Sequence, residues 1–496
     1  MEPFQLIGKS ELLIHSTDVE TPVRVFDADD GSDFGIINIK LKSIPLTRQP
    51  IFLLFTIDRT GSMNECDIKM IRKIDQVKQT FKNLIRYLSN QPIQVYICVN
   101  AFNDTVETII EDVQITKKNS SILMQKIDEL TPDGLTNIGE AILSAKHKLT
   151  TYATNNPNHQ VGHIFMTDGE PTIGITNNNE LKTLVNYAYS NTFIGYGVDH
   201  NAILLRELCE NSNAEYLFVD KTENTSLVYG EAIHKFLYPA IKNVSIKIEN
   251  GYIYDWRSNK WVSNLNENVL VGEIDKIYNI KITDCNVRAT ISGNYGTYFE
   301  NHGIIDILYP LPPLISLSGD IVPAYVDLTK YIFRQKVMEV LFSAKKNLHY
   351  NEKVSIQKNT KILFKIITEY IIKNHYEDDA FMKTLCDDLS IVYNTIGMEY
   401  GNTYAISRHS AQGAQQSYNI TPYIEPPHIK PPKLKRYDHF AHINIFNGID
   451  GIDGIDGIDG IDDILDIDHY VISENVTNNY ATPSMLRTMN SINESV

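Results

Sequence analysis

Three short stretches of this chain concentrate oxygen donors. FTIDRTGSM, residues 55–63, places Asp58, Thr60 and Ser62 directly after the apolar run IFLLF. TPDGLTNIGEAI offers Thr136 at the entry to a helix, and MTDGEPT offers Asp168 at the end of a strand. Two carboxylates and three hydroxyls, with no His or Cys, make a hard donor set. Such a set suits Mg²⁺, Mn²⁺ or Ca²⁺ rather than zinc. So few carboxylates would leave an ion electrophilic, ready to take an acidic group from a partner. Gly61 and Gly169 permit the tight turns that bring the oxygens together. The competing reading of the first stretch is a capped strand-to-helix turn, with Asp and Ser satisfying backbone N–H groups. The presence of all three stretches favours the metal.

The elements that must position these donors are legible from periodicity. IFLLFTI is a short continuous apolar run, the pattern of a strand buried on both faces. Ile68, Ile71, Val77, Phe81, Leu84 and Leu88 then recur at three- and four-residue steps, predicting an amphipathic helix. IQVYICVNAF, VGHIFMTDGE and TFIGYGV read as further strands, with helices expected at 137–150, 201–210 and 225–237. Strands alternating with helices imply an α/β fold with a doubly wound, mostly parallel sheet. In such sheets ligands sit at the carboxyl ends of the strands, where Asp58 and Asp168 fall.

These residues resemble the von Willebrand factor A domain and its metal-ion-dependent adhesion site. The family pattern is Asp-x-Ser-x-Ser, then a Thr, then an Asp in three loops. Asp58, Thr60, Ser62, Thr136 and Asp168 match it in order and in strand context. Thr60 replaces the usual Ser but keeps the hydroxyl. Leu135 stands where many members have Gly, which implies a reshaped second loop. The resemblance covers about residues 50–238. The whole chain more weakly resembles intracellular eukaryotic and giant-virus proteins carrying this domain. It shows neither the zinc-ligand spacing of a RING module nor the nucleophile-starting sequence of a Hint module.

Around this unit, residues 11–48 and 240–310 have strand character and are expected to form one β-sandwich, with the α/β domain inserted between them. From 325 to 400 the period is helical, with Ile362, Ile366, Tyr370 and Ile371 expected on one face of a bundle of about three helices. From 405 to 496 a mostly disordered tail is expected. It includes AISRHSAQGAQQSYN, read either as a family-like motif or as a polar loop, and the Pro-rich EPPHIKPPKLKR. Five Gly-Ile-Asp triplets begin at Gly448. They lack the proline and length of a collagen helix and the closing Glu of an EF-hand, leaving a flexible acidic segment.

Composition excludes several function classes. The net charge is -16, but eight Asp and no Lys or Arg lie between Gly448 and Asp468. A nucleic-acid surface, which needs clustered Lys and Arg, is not expected. Apolar runs fall short of a membrane span, and the N-terminus lacks a secretory pattern. Five scattered cysteines without C-x-x-C suggest reduced thiols and a cytoplasmic setting, host cytoplasm or virion if the protein is viral. Cys209 reads as a core cysteine and His200 as a surface histidine. The function expected is non-enzymatic: a divalent cation, Mg²⁺ first, holds a carboxylate from a protein partner. The alternatives are a structural or virion-assembly component with an incidental metal site, and a metal-dependent hydrolase with Glu170 as general base.

Overall fold

The computed structural model describes residues 4–8, 33–40, 46–47, 49–66, 70–219, 225–283, 288–295, 314–315, 321–322, 328–345, 348–398, 400–415, 467, 470 and 482–494. The Gly-Ile-Asp repeats, the Pro-rich stretch, and the strands expected in residues 11–32 lie outside these. A short strand β1 (Phe4–Gly8) and β2 (Asp33–Lys40) precede the central sheet.

The central sheet has six strands: β3 (Ile51–Asp58), β4 (Val95–Phe102), β5 (Val106–Gln114), β6 (Gln160–Thr167), β7 (Ser190–Tyr196) and β8 (Ala214–Val219). Their order is β5-β4-β3-β6-β7-β8, and only the β4–β5 pair is antiparallel. This is the doubly wound α/β architecture read from the sequence, with two edge strands, β5 and β8, that the periodicity did not reveal. Every residue of β3 is buried. Its odd residues Leu53, Phe55 and Ile57 pack with α1 (Lys73–Ser89), while Phe52 and Leu54 pack with α3 (Ile138–Asn155). That two-sided burial is why the strand is uniformly apolar. The chain winds from β3 toward β4 in one direction and from β6 toward β7 in the other. The crevice between the ends of β3 and β6 is therefore the topological switch point.

Helix α1 begins later than expected. Its buried stripe is Ile74, Val77, Phe81, Leu84, Ile85 and Leu88, Ile71 is exposed, and Ile68 lies outside the described residues. Helix α2 (Ser120–Asp128) packs on α1 and β5. Asn137 caps α3 by accepting from the Glu140 N–H at 3.1 Å. Short helices α4 (Asn178–Leu184) and α5 (Ala202–Leu208), then α6 (Thr225–Leu237), complete the unit. His200 is not a surface residue: it is buried, with Nε2 2.7 Å from the Tyr216 hydroxyl, and it fills the space above Gly195.

The chain continues through β9 (Pro239–Glu249), β10 (Gly251–Asp255), β11 (Lys260–Val262), β12 (Asn264–Val271), β13 (Asp275–Ile282) and β14 (Arg288–Tyr295). These build two antiparallel sheets, β1-β14-β9-β12 and β11-β10-β13-β2. Ile37, Ile39, Ile253 and Ile280 of one sheet share an apolar layer with Ile241, Ile246, Leu265 and Ile291 of the other. The alternation of β2 does double duty. Ile37 and Ile39 face that layer, while Phe34 and Ile36 pack against helices.

Those helices are α7 (Leu328–Ala344), α8 (Tyr350–Asn374), α9 (Ala380–Thr395) and α10 (Gly401–Ala414). On α8 Thr360, Leu363, Phe364 and Ile367 are buried, the expected Ile366, Tyr370 and Ile371 pack against the same core, and of the expected face only Ile362 is exposed. The expectation that order ends at residue 405 does not hold for residues 405–414. AISRHSAQGA forms most of the buried α10 rather than a loop, because Arg408 and Gln412 find internal partners. Arg408 pairs with Asp388, Gln412 Nε2 donates to the same carboxylate at 2.7 Å, and Arg334 donates to the Gln412 carbonyl at 2.6 Å. A last helix, α11 (Pro483–Glu494), also falls within the expected tail and packs on α6, with the Ser484 and Thr488 hydroxyls each 3.1 Å from His234. Asp388→Ala leaves the Arg408 charge buried without its carboxylate. It should cost about 3 kcal/mol in urea unfolding, whereas an exposed control such as Glu377→Ala should change stability by less than about 0.5 kcal/mol.

Candidate metal centre

The five predicted donors come from three loops at the switch point. Asp58 is the last residue of β3, and Asp168 follows the last residue of β6. Both carboxylates are buried, as are Thr60 and Thr136. Asp58 Oδ1 accepts the Thr60 N–H at 2.8 Å, and its Oδ2 accepts the Thr167 hydroxyl at 2.5 Å. Thr60 Oγ1 and Ser62 Oγ lie 3.0 Å apart, and Ser62 donates to Asp168 Oδ1 at 2.7 Å. A Cβ on Gly169 would stand 3.6 Å from Thr136 Oγ1 and 3.9 Å from Ser62 Oγ, so this glycine lies against both hydroxyls. Asp58, Thr60, Ser62 and Asp168 thus form one hydrogen-bonded chain, and Gly169 brings Thr136 alongside it.

The backbone holds the loops together. Gly61 N–H donates to the Gly134 carbonyl at 3.2 Å, and Asp133 N–H to the Arg59 carbonyl at 2.8 Å. Thr136 N–H donates to the Thr172 hydroxyl at 2.9 Å, and Thr172 N–H returns to the Thr136 carbonyl at 2.9 Å. The reshaped second loop has a simple cause. The positive φ of 79° falls on Gly134, one residue before Leu135. Leu135 N–H then donates to Asp104 Oδ2 at 3.3 Å, and its side chain stays 51% exposed.

Sequence reasoning missed four participants, Thr167, Lys73, Glu65 and Asp199. Thr167, which bonds Asp58, was readable only as a strand residue. Lys73, at the first turn of α1, donates to Asp168 Oδ2 at 2.9 Å, Glu65 Oε2 at 2.8 Å and Asp199 Oδ2 at 3.1 Å. Lys73 and Asp168 are separated by 95 positions, so no local pattern could have paired Lys73 and Asp199 with the site. Glu170, the base that a hydrolytic reading would need, is exposed.

The electrostatics bear on whether a cation fits. Burial, and then the neighbouring Asp168 charge, push the Asp58 carboxyl up to about 7. Burial also raises Asp168, with Lys73 opposing it. Burial would lower Lys73, but Asp168, Glu65 and Asp199 outweigh it and raise the ammonium above its ordinary value. Two buried carboxylates against one shared lysine leave negative charge undercompensated, which a divalent cation would relieve. Among the described residues no group of three or more His, Cys, Asp or Glu stands ready for a metal. Three of the donors here are hydroxyls, so this centre is of a different kind from a carboxylate cage.

The sequence profile of the von Willebrand factor type A domain matches residues 53–230. The chain is 24% identical over 202 residues to inter alpha-trypsin inhibitor heavy chain 4 of Mus musculus, spanning 39% of this chain and 21% of that protein. It is 24% identical over 238 residues to inter-alpha-trypsin inhibitor heavy chain H2 of Homo sapiens, spanning 46% of this chain and 24% of that protein. The chain thus spans about a quarter of the length of the curated relatives it matches. Among solved structures, a von Willebrand factor type A protein from Catenulispora acidiphila superposes with TM-score 0.48 at 11% identity, covering 76% of this chain and 96% of that one. Proximal thread matrix protein 1 from the mussel byssus, with a zinc-occupied MIDAS motif, gives TM-score 0.31 at 18% identity over 39% of this chain and 48% of that one.

Asp58→Asn tests the charge balance. In the unfolded chain this carboxyl titrates near 3.8, and in the fold near 7. Stability of the metal-free protein is therefore fully present below the lower value and is lost as pH rises through the upper one. In EDTA at pH 8 the Asn variant should be more stable than wild type by about 2–4 kcal/mol. That gain should shrink as pH is lowered toward 4 in thermal unfolding.

Proposed function

Residues 53–230 form a von Willebrand factor type A domain, and from that premise we propose that the chain is a non-enzymatic protein-interaction module. Domains of this family typically mediate protein–protein interaction and are generally non-enzymatic. In this reading Asp58, Thr60, Ser62, Thr136 and Asp168 hold one divalent cation, Mg²⁺ first and Mn²⁺ or Ca²⁺ as substitutes. The ion, when bound, supplies an open position for an acidic side chain of a protein partner. The observation that carries the reading is the meeting of all three donor loops at the switch point, with two carboxylates buried there.

The chain's own residues do the positioning. Thr167 and the Thr60 N–H orient the Asp58 carboxylate. Ser62 orients Asp168. The Thr136–Thr172 exchange presents the Thr136 side chain toward Gly169. The rim suits a protein partner. Leu135 is 51% exposed beside Thr136, and Met70 is 80% exposed three residues before Lys73. Apolar contacts around a central charged anchor are the usual anatomy of an interface. Among the described residues no helix is long and apolar enough to cross a membrane. The four described cysteines are free thiols.

Thermal unfolding with EDTA, Mg²⁺, Mn²⁺ or Ca²⁺ tests the site. An ion at 100 times its dissociation constant should stabilise the wild type by about 2.7 kcal/mol. The Asp58→Ala, Thr136→Ala double variant should show no such rise. Once a partner is in hand, its binding should be abolished by EDTA and restored by excess metal. Binding to wild type that EDTA leaves unchanged would refute the proposed mode.

A further inference from the structure

The Lys73 ammonium is where the site's own positive charge resides. Its side chain is only 13% exposed. It is anchored by the first turn of α1, where the next residue, Ile74, is fully buried. Lys73 faces three carboxylates: Asp168, Glu65 and Asp199. Glu65 lies just past the turn that carries Ser62, and Asp199 lies in the loop between β7 and α5. Of these three, only Asp168 belongs to the five-donor set, and its side chain is fully buried. Both Asp168 oxygens are engaged, Oδ1 by the Ser62 hydroxyl and Oδ2 by the ammonium. A divalent ion approaching Asp168 would meet a like charge already bonded to it. The ammonium has somewhere to go, because Glu65 and Asp199 are within its reach and more exposed.

We propose that Lys73 is a tethered counter-cation: it neutralises Asp168 when no divalent ion is present and competes with the ion for that carboxylate. On ion binding it gives up Asp168 and keeps its pairing with Glu65 and Asp199, the flanking acids that hold it close by. The inference rests on the metal reading of the five donors. It makes the site readily emptied, because the apo form already has a partner for its buried charge. The competition is Coulombic, so it should respond to charge rather than to side-chain length.

The test is Mn²⁺ titration by calorimetry on the full chain, comparing wild type with Lys73→Met, Lys73→Gln and Lys73→Arg. Lys73→Met and Lys73→Gln should bind Mn²⁺ at least tenfold more tightly, and Lys73→Arg should stay near wild type. In EDTA the two neutral variants should melt below wild type, and that gap should close in saturating Mn²⁺. Neutral variants that fold by circular dichroism but bind Mn²⁺ equally or more weakly would overturn the competition, leaving Lys73 as a support for Asp168. Failure of both neutral variants to fold even in Mn²⁺ would overturn it as well. Absence of Mn²⁺ binding by wild type and by all variants would instead refute the metal reading, and this inference with it.

Discussion

Two buried carboxylates side by side, Asp58 and Asp168, set the terms for this molecule's central domain. Each lies at the end of a core strand, and the strands are neighbours, so the pairing is imposed by the sheet. Like charges this close, removed from water, are unfavourable unless something compensates them. The surrounding structure reads as compensation. Hydroxyls of Thr167 and Ser62 and the Thr60 N–H donate to the two groups, and Lys73 reaches in from α1. None of these is a strong enough counter-charge to return Asp58 to the ordinary carboxylate range. That residual imbalance is the physical content of the expectation that a cation belongs here.

Among the described residues, the rest of the chain packs around the central domain as two sheets and a helical bundle. The two antiparallel sheets share one apolar layer, and β2 links that layer to the helices through its alternating faces. Helix α10 touches α7, α9, α5 and β8, and so ties the helical bundle to the central domain. Ile406, in the apolar cluster of α5 and β8, and Tyr404, edge-on to Phe218, make that tie, while polar residues hold α10 within the bundle. Asp388, Arg408, Gln412 and Arg334 form a buried network in which the ion pair sits among further hydrogen bonds. Such networks favour one arrangement of their elements, because any slip leaves a charge unsatisfied. Gly413 contributes by fit: a Cβ there would fall 2.0 Å from the Trp256 ring, so the indole of the antiparallel region lies directly on the helix.

Much of this was legible in the residues. The doubly wound sheet follows from apolar runs too short for helices, alternating with three- and four-residue spacings. Hydrophobic burial obeys the geometry of the secondary structure, so the pattern survives in one dimension. The donor set was legible because strand-end loops keep their ligands close in sequence or attached to a recognisable strand. Where the reading failed, the determinant was a partner far along the chain. His200, expected at the surface, is a core residue because the Tyr216 hydroxyl and the bare face of Gly195 receive it. AISRHSAQGA was taken to begin the disordered tail because half its residues are polar, and nothing local shows that Asp388 and Arg334 wait for them. On α8 the expected Ile366, Tyr370 and Ile371 do pack on the bundle core, and only Ile362 gives way to Leu363, because the two are equally apolar and packing alone chooses between them.

The sequence by itself determined the buried core strands, the main helices packed on them, and the chemistry available at the strand ends. It did so because backbone periodicity and donor hardness are properties of residue types. The tertiary structure alone decided how close Asp58 comes to Asp168, that Lys73 lies between Asp168, Glu65 and Asp199, and that α10 is buried. Those outcomes depend on distances between residues far apart along the chain, 126 positions for Lys73 and Asp199, and Coulomb and hydrogen-bond energies respond to distance in space, which periodicity does not encode.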